Sequence, residues 1–169
     1  MRNDTDNDTD TNANTDLNTD LDTDAAVRPG LPGLFTRIDH VGIAVPDLDE
    51  AIAFYRDNFG VLSVHEEVNE QQGVREAMLA VGDGSTQIQL LAPLTPQSTI
   101  AKFLDRNGAG IQQLAYTVAD IDAACDSLRE RGLRLLYDEP RHGTSQSRVN
   151  FIHPKDAGGV LIELVERAR

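Results

Sequence analysis

The stretch that decides the fold occurs twice in this chain. Residues 38–50 read Ile-Asp-His-Val-Gly-Ile-Ala-Val-Pro-Asp-Leu-Asp-Glu, and 73 positions later residues 111–123 read Ile-Gln-Gln-Leu-Ala-Tyr-Thr-Val-Ala-Asp-Ile-Asp-Ala. Each copy begins with an apolar strand pattern and passes through an Asp, a favoured N-cap residue, into an amphipathic helix. The chain is therefore predicted to contain two copies of one structural unit.

The N-terminal segment differs in composition from everything that follows it. Residues 1–26 are mostly Asn, Asp and Thr, and residues 27–34 contain two Pro-Gly pairs. Such a segment has too little apolar surface to offset the entropy lost on ordering. Residues 1–34 are therefore predicted to be a disordered tail and linker. Calcium binding by the tail is disfavoured, because the glycine and the final glutamate of an EF-hand loop are missing.

Composition restricts the possible classes of function. The net charge is −13, of which residues 1–24 contribute −7 through eight Asp and one Arg. The chain has no basic stripe and few aromatic residues, which argues against nucleic acid as a partner. No apolar run approaches the ~20 residues that span a membrane, and no secretory signal peptide is visible. The single cysteine, Cys125, excludes an internal disulfide, so we expect a cytoplasmic protein.

The order of predicted elements repeats between the two halves. Module one (residues 36–93) has a strand at 35–45, a helix from Asp47 or Asp49 to Gly60, and strands at 61–68, 75–81 and 86–91. A short helix at 98–104 leads to module two (109–166). That module has a strand at 111–118, a helix from Asp120 or Asp122 to Gly132, and strands at 133–137, 149–153 and 160–165. We predict a single α+β domain, residues 35–168, built from two β-α-β-β-β modules.

Four polar side chains interrupt apolar strands at equivalent places in the two modules. His40 in the first strand corresponds to Gln113, and Gln89 in the fourth strand corresponds to Glu163, 74 positions later. Buried polar groups need hydrogen-bond partners, and a buried carboxylate needs a cation or several donors. If the modules close on each other, the four side chains converge, and a divalent metal would satisfy them all.

Six motifs are spread over residues 36–166: 38–44 (IDHVGIA), 69–78 (NEQQGVREAM), 87–93 (QIQLLAP), 136–140 (LYDEP), 152–155 (IHPK) and 159–164 (GVLIEL). Through these motifs the sequence resembles the methylmalonyl-CoA epimerases of the vicinal-oxygen-chelate superfamily, which also contains glyoxalase I. The resemblance implies a fold of paired modules whose sheets enclose a cavity holding a divalent metal. Homodimers are common in this family.

The resemblance also implies roles for individual residues. It carries over His40, Gln89 and Glu163 as metal ligands and Glu76 as an acid/base residue, with Glu163 as a candidate second acid/base group. Gln113 stands where the family has its fourth ligand, a His, and an amide oxygen is a harder and weaker donor than imidazole nitrogen. We therefore expect weak metal binding or loss of the metal. Cobalt is the expected ion, with manganese, nickel or zinc as alternatives.

Epimerisation of an alkylmalonyl-CoA removes the proton at C2, so a base on one face and an acid on the other are required. Glu76 is the candidate base, and its repeat counterpart is predicted to be Asn150, since each lies 13 residues before a predicted ligand. Glu66, Glu67 and Glu70 are predicted to face solvent.

The acyl-CoA substrate is anionic and needs cations. The substrate-binding candidates are Arg75, Arg148, Asn150 and Lys155, with Lys102, Arg106 and Arg141 as further phosphate contacts. The polar loop 141–148 is predicted to be mobile and to contact the ligand.

Three other functions fit the sequence less well. A non-catalytic binding module of the same superfamily is favoured by Gln112 and Gln113 but disfavoured by retention of both the other ligands and Glu76. A glyoxalase I normally has Glu where Gln89 stands. An extradiol dioxygenase needs two His ligands, and His40 is the single His of the set.

Overall fold

The computed structural model describes residues 33–168, so most of the predicted tail and linker lies outside the described residues. The strands are β1 Arg37–Ala44, β2 Ser63–Asn69, β3 Val74–Val81, β4 Thr86–Pro93, β5 Gly110–Thr117, β6 Arg141–His142, β7 Arg148–Ile152 and β8 Ile162–Glu166. The helices are α1 Leu48–Phe59, α2 Thr99–Asn107 and α3 Ile121–Glu130. The α+β class and the two repeated modules are confirmed.

All eight strands belong to one mixed sheet with the order β2-β3-β4-β1-β5-β8-β7-β6. The order is symmetric about the antiparallel pair β1–β5, and each of these central strands pairs in parallel with the last strand of its own module. Because successive side chains of a strand point to opposite faces of the sheet, each strand has side chains on both faces. The four central strands carry the four polar residues singled out in the sequence.

One face of the sheet is covered by α1 and α3, and these helices begin as the sequence indicates. Asp47 and Asp120 are the N-caps, since their side chains accept hydrogen bonds from the backbone N–H groups of Glu50 and Ala123. Apolar clusters fill the space beneath. Leu48 packs with Leu79 and Leu90 under α1, and Cys125 packs with Leu164 under α3. The polar residues must therefore face the other side.

α2 partly closes the opposite face of the sheet. Its cap, Ser98, accepts a hydrogen bond from the backbone N–H of Ala101. Ile100 then packs on Val74 and Leu91. These two residues lie on the same side of β3 and β4 as Glu76 and Gln89, because each pair is two positions apart in its strand. α2 thus forms one end of the wall around a concave, partly polar space.

The predicted strand at 133–137 is wrong. This segment forms only an isolated bridge between Leu135 and Ile152, with flanking hydrogen bonds. The backbone of Tyr137 is bound instead by the Asn150 side chain, whose Oδ1 accepts from Tyr137 N–H and whose Nδ2 donates to Tyr137 C=O. The edge of β7 pairs with β6, which lies inside the segment predicted to be a polar loop.

The predicted correspondence of Glu76 with Asn150 is also wrong. In module one Met78 is opposite Gln89, whereas in module two Phe151, not Ile152, is opposite Glu163. Strand β7 is therefore shifted by one residue, and such a shift moves every side chain to the other face. Val149 takes the place equivalent to Glu76. Asn150 points toward α3, where its amide donates to Cys125 Sγ.

Within the described residues, no helix is long and apolar enough to cross a membrane.

Candidate active site

Four side chains from the central strands converge on the concave face. His40 (β1), Gln89 (β4), Gln113 (β5) and Glu163 (β8) are between 2% and 7% exposed. His40 Nε2 lies 3.0 Å from Glu163 Oε2. Gln113 Nε2 donates to Glu163 Oε2 and, at 3.2 Å, to Gln89 Oε1. This nitrogen is also 3.5 Å from His40 Nε2. The predicted convergence of the four residues is therefore what the structure shows.

Two β-bulges position the central pair. Between β1 and β5, Ile38 is opposite Tyr116 and His40 is opposite Ala115, so Asp39 is an extra residue. Gln112 is the extra residue on β5, because Gln113 is opposite Gly42 and Ile111 is opposite Ile43. A bulge interrupts alternation and re-aims side chains. The two bulges therefore bring the side chain of Asp39 next to that of His40, and the side chain of Gln112 next to that of Gln113.

Asp39 fixes the orientation of the His40 ring. Its Oδ1 lies 2.9 Å from His40 Nδ1, which leaves Nε2 directed at the centre of the cluster. Thr117 and Arg167 donate to the same carboxylate. Although burial works in the opposite direction, the hydrogen bonds from His40 and Arg167 hold the pKa of Asp39 well below its usual range. Asp39 thus stays ionised and keeps the proton on Nδ1.

His40 is held between two carboxylates. Burial alone would lower its pKa, but the charge of Glu163 and the hydrogen bonds with Asp39 and Glu163 raise the pKa of His40 to about 9. Without a bound cation His40 is therefore protonated at neutral pH. A metal ion at Nε2 would have to displace that proton.

Glu76 lies beside the cluster and is connected to it. Gln89 Nε2 donates to Glu76 Oε2 at 2.7 Å, and Thr144 Oγ1 donates to Glu76 Oε1 at 2.8 Å. Burial raises the pKa of Glu76 to about 7. The Thr144 hydrogen bond opposes this rise, and the negative charge of Glu67 adds to it. A carboxylate with such a pKa can both accept and release a proton near neutral pH.

The turn that delivers Thr144 is strained and tethered. Ser145 and Gln146 both have positive φ, 54° and 59°, which is costly for residues other than glycine. Such a conformation persists only where contacts fix it. Here the backbone N–H of Ser145 donates to Glu67 Oε2 at 3.2 Å, and Thr144 is buried against Glu76 and Gln89. The loop segment predicted to contact the ligand therefore reaches the site itself.

A cavity of about 390 Å³ opens beside Gln113. Its walls are mainly apolar, with Val74, Leu91, Tyr137, Phe151 and Leu161 among the lining residues. Its polar lining comes from Gln112 and Gln113, from the 70–73 turn and from the start of α2. Small-molecule sites commonly have this composition, an apolar volume with a few directed polar groups.

Comparison with known proteins identifies the family. The sequence model of the Glyoxalase/Bleomycin resistance protein/Dioxygenase superfamily matches residues 39–151. An ethylmalonyl-CoA/methylmalonyl-CoA epimerase from Cereibacter sphaeroides is 43% identical over 130 residues, which cover 76% of this chain and 96% of that protein. The chain belongs to the methylmalonyl-CoA epimerase family of that superfamily. The family predicted from the motifs is therefore confirmed, and so is the prediction that the chain is an isomerase.

Solved structures of this family agree with the fold. Methylmalonyl-CoA epimerase from Mycobacterium tuberculosis superposes with a TM-score of 0.79 at 60% identity, covering 85% of this chain and 97% of that one. A variant of the Streptomyces coelicolor epimerase in complex with 2-nitronate-propionyl-CoA gives a TM-score of 0.76 at 49% identity, covering 80% and 99%. The paired-module fold of the epimerases is thus the fold of this chain.

The family implies a divalent metal, and the donor atoms of this chain suit one. Within the described residues, no three side chains drawn from His, Cys, Asp and Glu form a metal cluster, because two of the four converging groups are amides. One imidazole, one carboxylate and two amide oxygens are donors for oxygen-preferring divalent ions. In the structure, Gln113 directs Nε2, not Oε1, at the other three side chains. Binding a metal therefore requires this amide to turn so that Oε1 faces the ion. The site can therefore hold a metal once this amide has turned.

The four candidate substrate-binding residues are not brought to the cavity. Arg75 forms a bidentate ion pair with Asp49, and Arg148 forms one with Asp122. These matching pairs tie β3 and β7 to the first turns of α1 and α3. Asn150 is bound to the backbone of Tyr137, and exposed Lys155 lies in the 3₁₀ turn Pro154–Asp156. Among the further cations, Arg141 stacks 3.7 Å from the ring centroid of Tyr137, a cavity residue.

The sequence did not indicate the positions of four residues that the structure places near the site. Asp39 and Gln112 depend on bulges that alternation cannot reveal, although both directly precede a predicted ligand. Thr144 sits in a loop with no periodicity. Glu67, predicted to face solvent, is half-buried on the same side of the sheet as Glu76, its cross-strand partner. Glu66 and Glu70 are exposed as predicted.

Proposed function

We propose that this chain interconverts the (2R) and (2S) epimers of methylmalonyl-CoA by removing and returning the proton at C2. The observation that carries the proposal is Glu76, a buried carboxylate with a pKa of about 7, hydrogen-bonded to the cluster of predicted ligands. The C. sphaeroides relative is named for ethylmalonyl-CoA as well. A related alkylmalonyl-CoA is therefore an alternative substrate.

The two carboxylates have complementary roles in this proposal. A hydrogen-bonded chain runs from Glu76 through Gln89 and Gln113 to Glu163. The carboxylates thus stand at opposite ends of the polar cluster, as an acid and a base serving two faces of one carbon require. Glu76 takes the C2 proton on one face, and Glu163 serves the other. Thr144 holds Oε1 of Glu76, so that Oε2 exchanges between Gln89 and the substrate.

A divalent metal, with cobalt the first choice and manganese, nickel or zinc as alternatives, is proposed at His40, Gln89, Gln113 and Glu163. Such an ion polarises the thioester and carboxylate oxygens of the substrate as a Lewis acid and so stabilises negative charge developing on them. His40 and Gln89 belong to module one, and Gln113 and Glu163 belong to module two. Metal binding would therefore join the modules.

The cellular setting is also proposed. A cytoplasmic location stays a prediction that rests on the single cysteine.

A homodimer is supported by four large apolar side chains exposed along the end of α1 and the start of β2: Phe54, Phe59, Leu62 and Val64. Analytical ultracentrifugation at several concentrations tests it, and a mass equal to one chain throughout would contradict it.

The central experiment is exchange of the C2 proton of (2R)- and (2S)-methylmalonyl-CoA in D₂O, followed by NMR with added cobalt and with EDTA. We expect exchange together with interconversion of the epimers, and loss of both in EDTA. Glu76→Gln should reduce the rate by ~10²–10⁴-fold, the range for removal of a general base. Glu66→Gln, an exposed carboxylate on β2, is the matched control and should keep full activity. Folded protein that exchanges no proton with any metal would leave a binding module.

A further inference from the structure

Two carboxyl groups face each other beside the polar cluster. Glu67 of β2 and Glu76 of β3 are cross-strand partners in the antiparallel pair β2–β3. Side chains directly opposite each other in such a pair have Cβ atoms about 4.5–5.5 Å apart, and like charges there repel. The repulsion is removed when one carboxyl group keeps a proton and shares it with the other. The pair is therefore suited to hold one proton between two carboxyl groups.

The pKa shifts of the two groups agree with a shared proton. Burial raises the pKa of Glu76 to about 7 against the opposing Thr144 hydrogen bond, and the charge of Glu67 and a hydrogen bond with it add to the rise. Burial works in the same direction on Glu67, but hydrogen bonds with His65 and Glu76 hold the pKa of Glu67 below its usual range. Near neutral pH, protonated Glu76 therefore donates to an ionised Glu67.

The shared proton has a continuous route from the buried site to solvent. Glu76 is 1% exposed, and two of its hydrogen-bond partners, Gln89 and Thr144, do not titrate near neutral pH. Glu67 does titrate, and its Oε2 lies within hydrogen-bond distance of His65 Nε2. The side chains of Glu67 and His65 are 28% and 40% exposed. They share a face of β2, because they are two positions apart. Groups that can hold a proton thus lead stepwise outward from Glu76.

We propose that Glu67 and His65 form a proton relay that connects Glu76 with solvent while substrate fills the cavity. The proposal rests on the proposed function, because the relayed proton is the one that Glu76 takes from C2. The O–H bond of Glu76 breaks as the proton passes to the Glu67 carboxylate. Glu67 then gives it to Nε2 of neutral His65, and the proton on His65 Nδ1 leaves to water. Glu76 is thereby restored as a carboxylate, and the same steps in reverse protonate it again.

The test follows deuterium from D₂O into each epimer by NMR. When Glu76 exchanges its proton with solvent before returning it, deuterium enters the starting epimer without inversion. For the epimer that Glu76 deprotonates, the ratio of this wash-in to epimerisation should fall at least ~10-fold in Glu67→Gln and in His65→Ala, since a positioned proton-transfer group commonly contributes ~10²-fold or more. The ratio for the epimer that Glu163 deprotonates should not change. Glu66→Gln, on the opposite, exposed face of β2, is the matched control and should keep both wild-type ratios.

Imidazole in the buffer gives a second readout. His65→Ala opens a partly exposed position, so added imidazole should restore wash-in toward the wild-type ratio, and a merely structural role of His65 would not respond to it. Unaltered ratios in both variants, or equal falls for the two epimers, would overturn the relay and leave the epimerase in place. Folded protein that exchanges the C2 proton of neither epimer would overturn the epimerase and the relay with it.

Discussion

At the scale of single residues, the proposed reaction requires Glu76 to hold a proton and release it near neutral pH. Three features of its surroundings act on the pKa of Glu76. Burial raises it, the hydroxyl of Thr144 lowers it, and the carboxylate of Glu67 raises it. Glu67 lies on β2 of the same module as Glu76, and Thr144 lies in a strained turn of the other module. The acidity of the candidate base is therefore set by contacts from both modules.

Opposite pH shifts are expected from two substitutions beside Glu76. Thr144→Val removes a donor that lowers the pKa of Glu76, so the acid limb of kcat/KM should move above its wild-type position near pH 7. Glu67→Gln removes a negative charge that raises this pKa, so the limb should move to lower pH. Thr144→Ser keeps the hydroxyl and is the control. Profiles of both variants that move in the same direction would contradict this account.

Gly42 matters because of its contact with a predicted ligand. A Cβ added there would lie 2.5 Å from Cγ of Gln113, its cross-strand partner, which is too close for an unaltered side chain. We expect Gly42→Ala to displace Gln113 and weaken cobalt binding in isothermal titration calorimetry by ~10-fold or more, as loss of support around a metal ligand does. Gly110→Ala, at a position with open space and ordinary φ, is the control. Equal affinities of the two variants would show that Gln113 is not a ligand.

At the scale of elements, both helices on the outer face are tied to strands by the same device. The second Asp of each helix start, Asp49 or Asp122, binds Arg75 or Arg148 in a bidentate pair. The structure thus shows each of these arginines paired with a helix start, whereas the sequence suggested contacts with CoA phosphates. Exposed pairs of this kind contribute little to stability individually.

Replacing Arg148 by Ala is expected to leave KM for methylmalonyl-CoA unchanged and to lower the melting temperature slightly. The same result is expected for Asp122→Ala, because the two substitutions break one pair. Initial-rate kinetics and thermal melts measure both quantities. A clear rise in KM for Arg148→Ala without one for Asp122→Ala would return Arg148 to the substrate-binding residues.

At the scale of the whole molecule, the candidate metal site joins the two modules across the β1–β5 seam. Its ligands lie on β1, β4, β5 and β8, which are neighbours in the sheet although they are far apart in sequence. A ligand that binds the folded but not the unfolded chain stabilises the fold in proportion to its affinity. The metal should therefore affect stability as well as catalysis.

Cobalt should raise the melting temperature, and its affinity should increase with pH. His40 has a pKa of about 9 in the metal-free site, so below that pH a proton must leave before Nε2 can bind. The apparent dissociation constant should thus fall by about tenfold per pH unit between pH 7 and 9. Calorimetry in buffers of different ionisation enthalpy should detect about one released proton. Binding that is independent of pH over this range would contradict the assignment of His40.

The sequence by itself determined the repeat, the element order, the starts of α1 and α3 to within two candidate Asp caps each, and the four polar strand positions. These follow from periodicity and local residue chemistry, which the chain carries over short distances. Only the tertiary structure decided the rest. A one-residue shift of β7 turned Asn150 away from the site, and two bulges brought Asp39 and Gln112 toward it. A strained turn placed Thr144 on Glu76, and salt bridges occupied Arg75 and Arg148. Pairing between distant strands fixes each of these features, and no local pattern encodes which residue is left over when strands of unequal length are aligned.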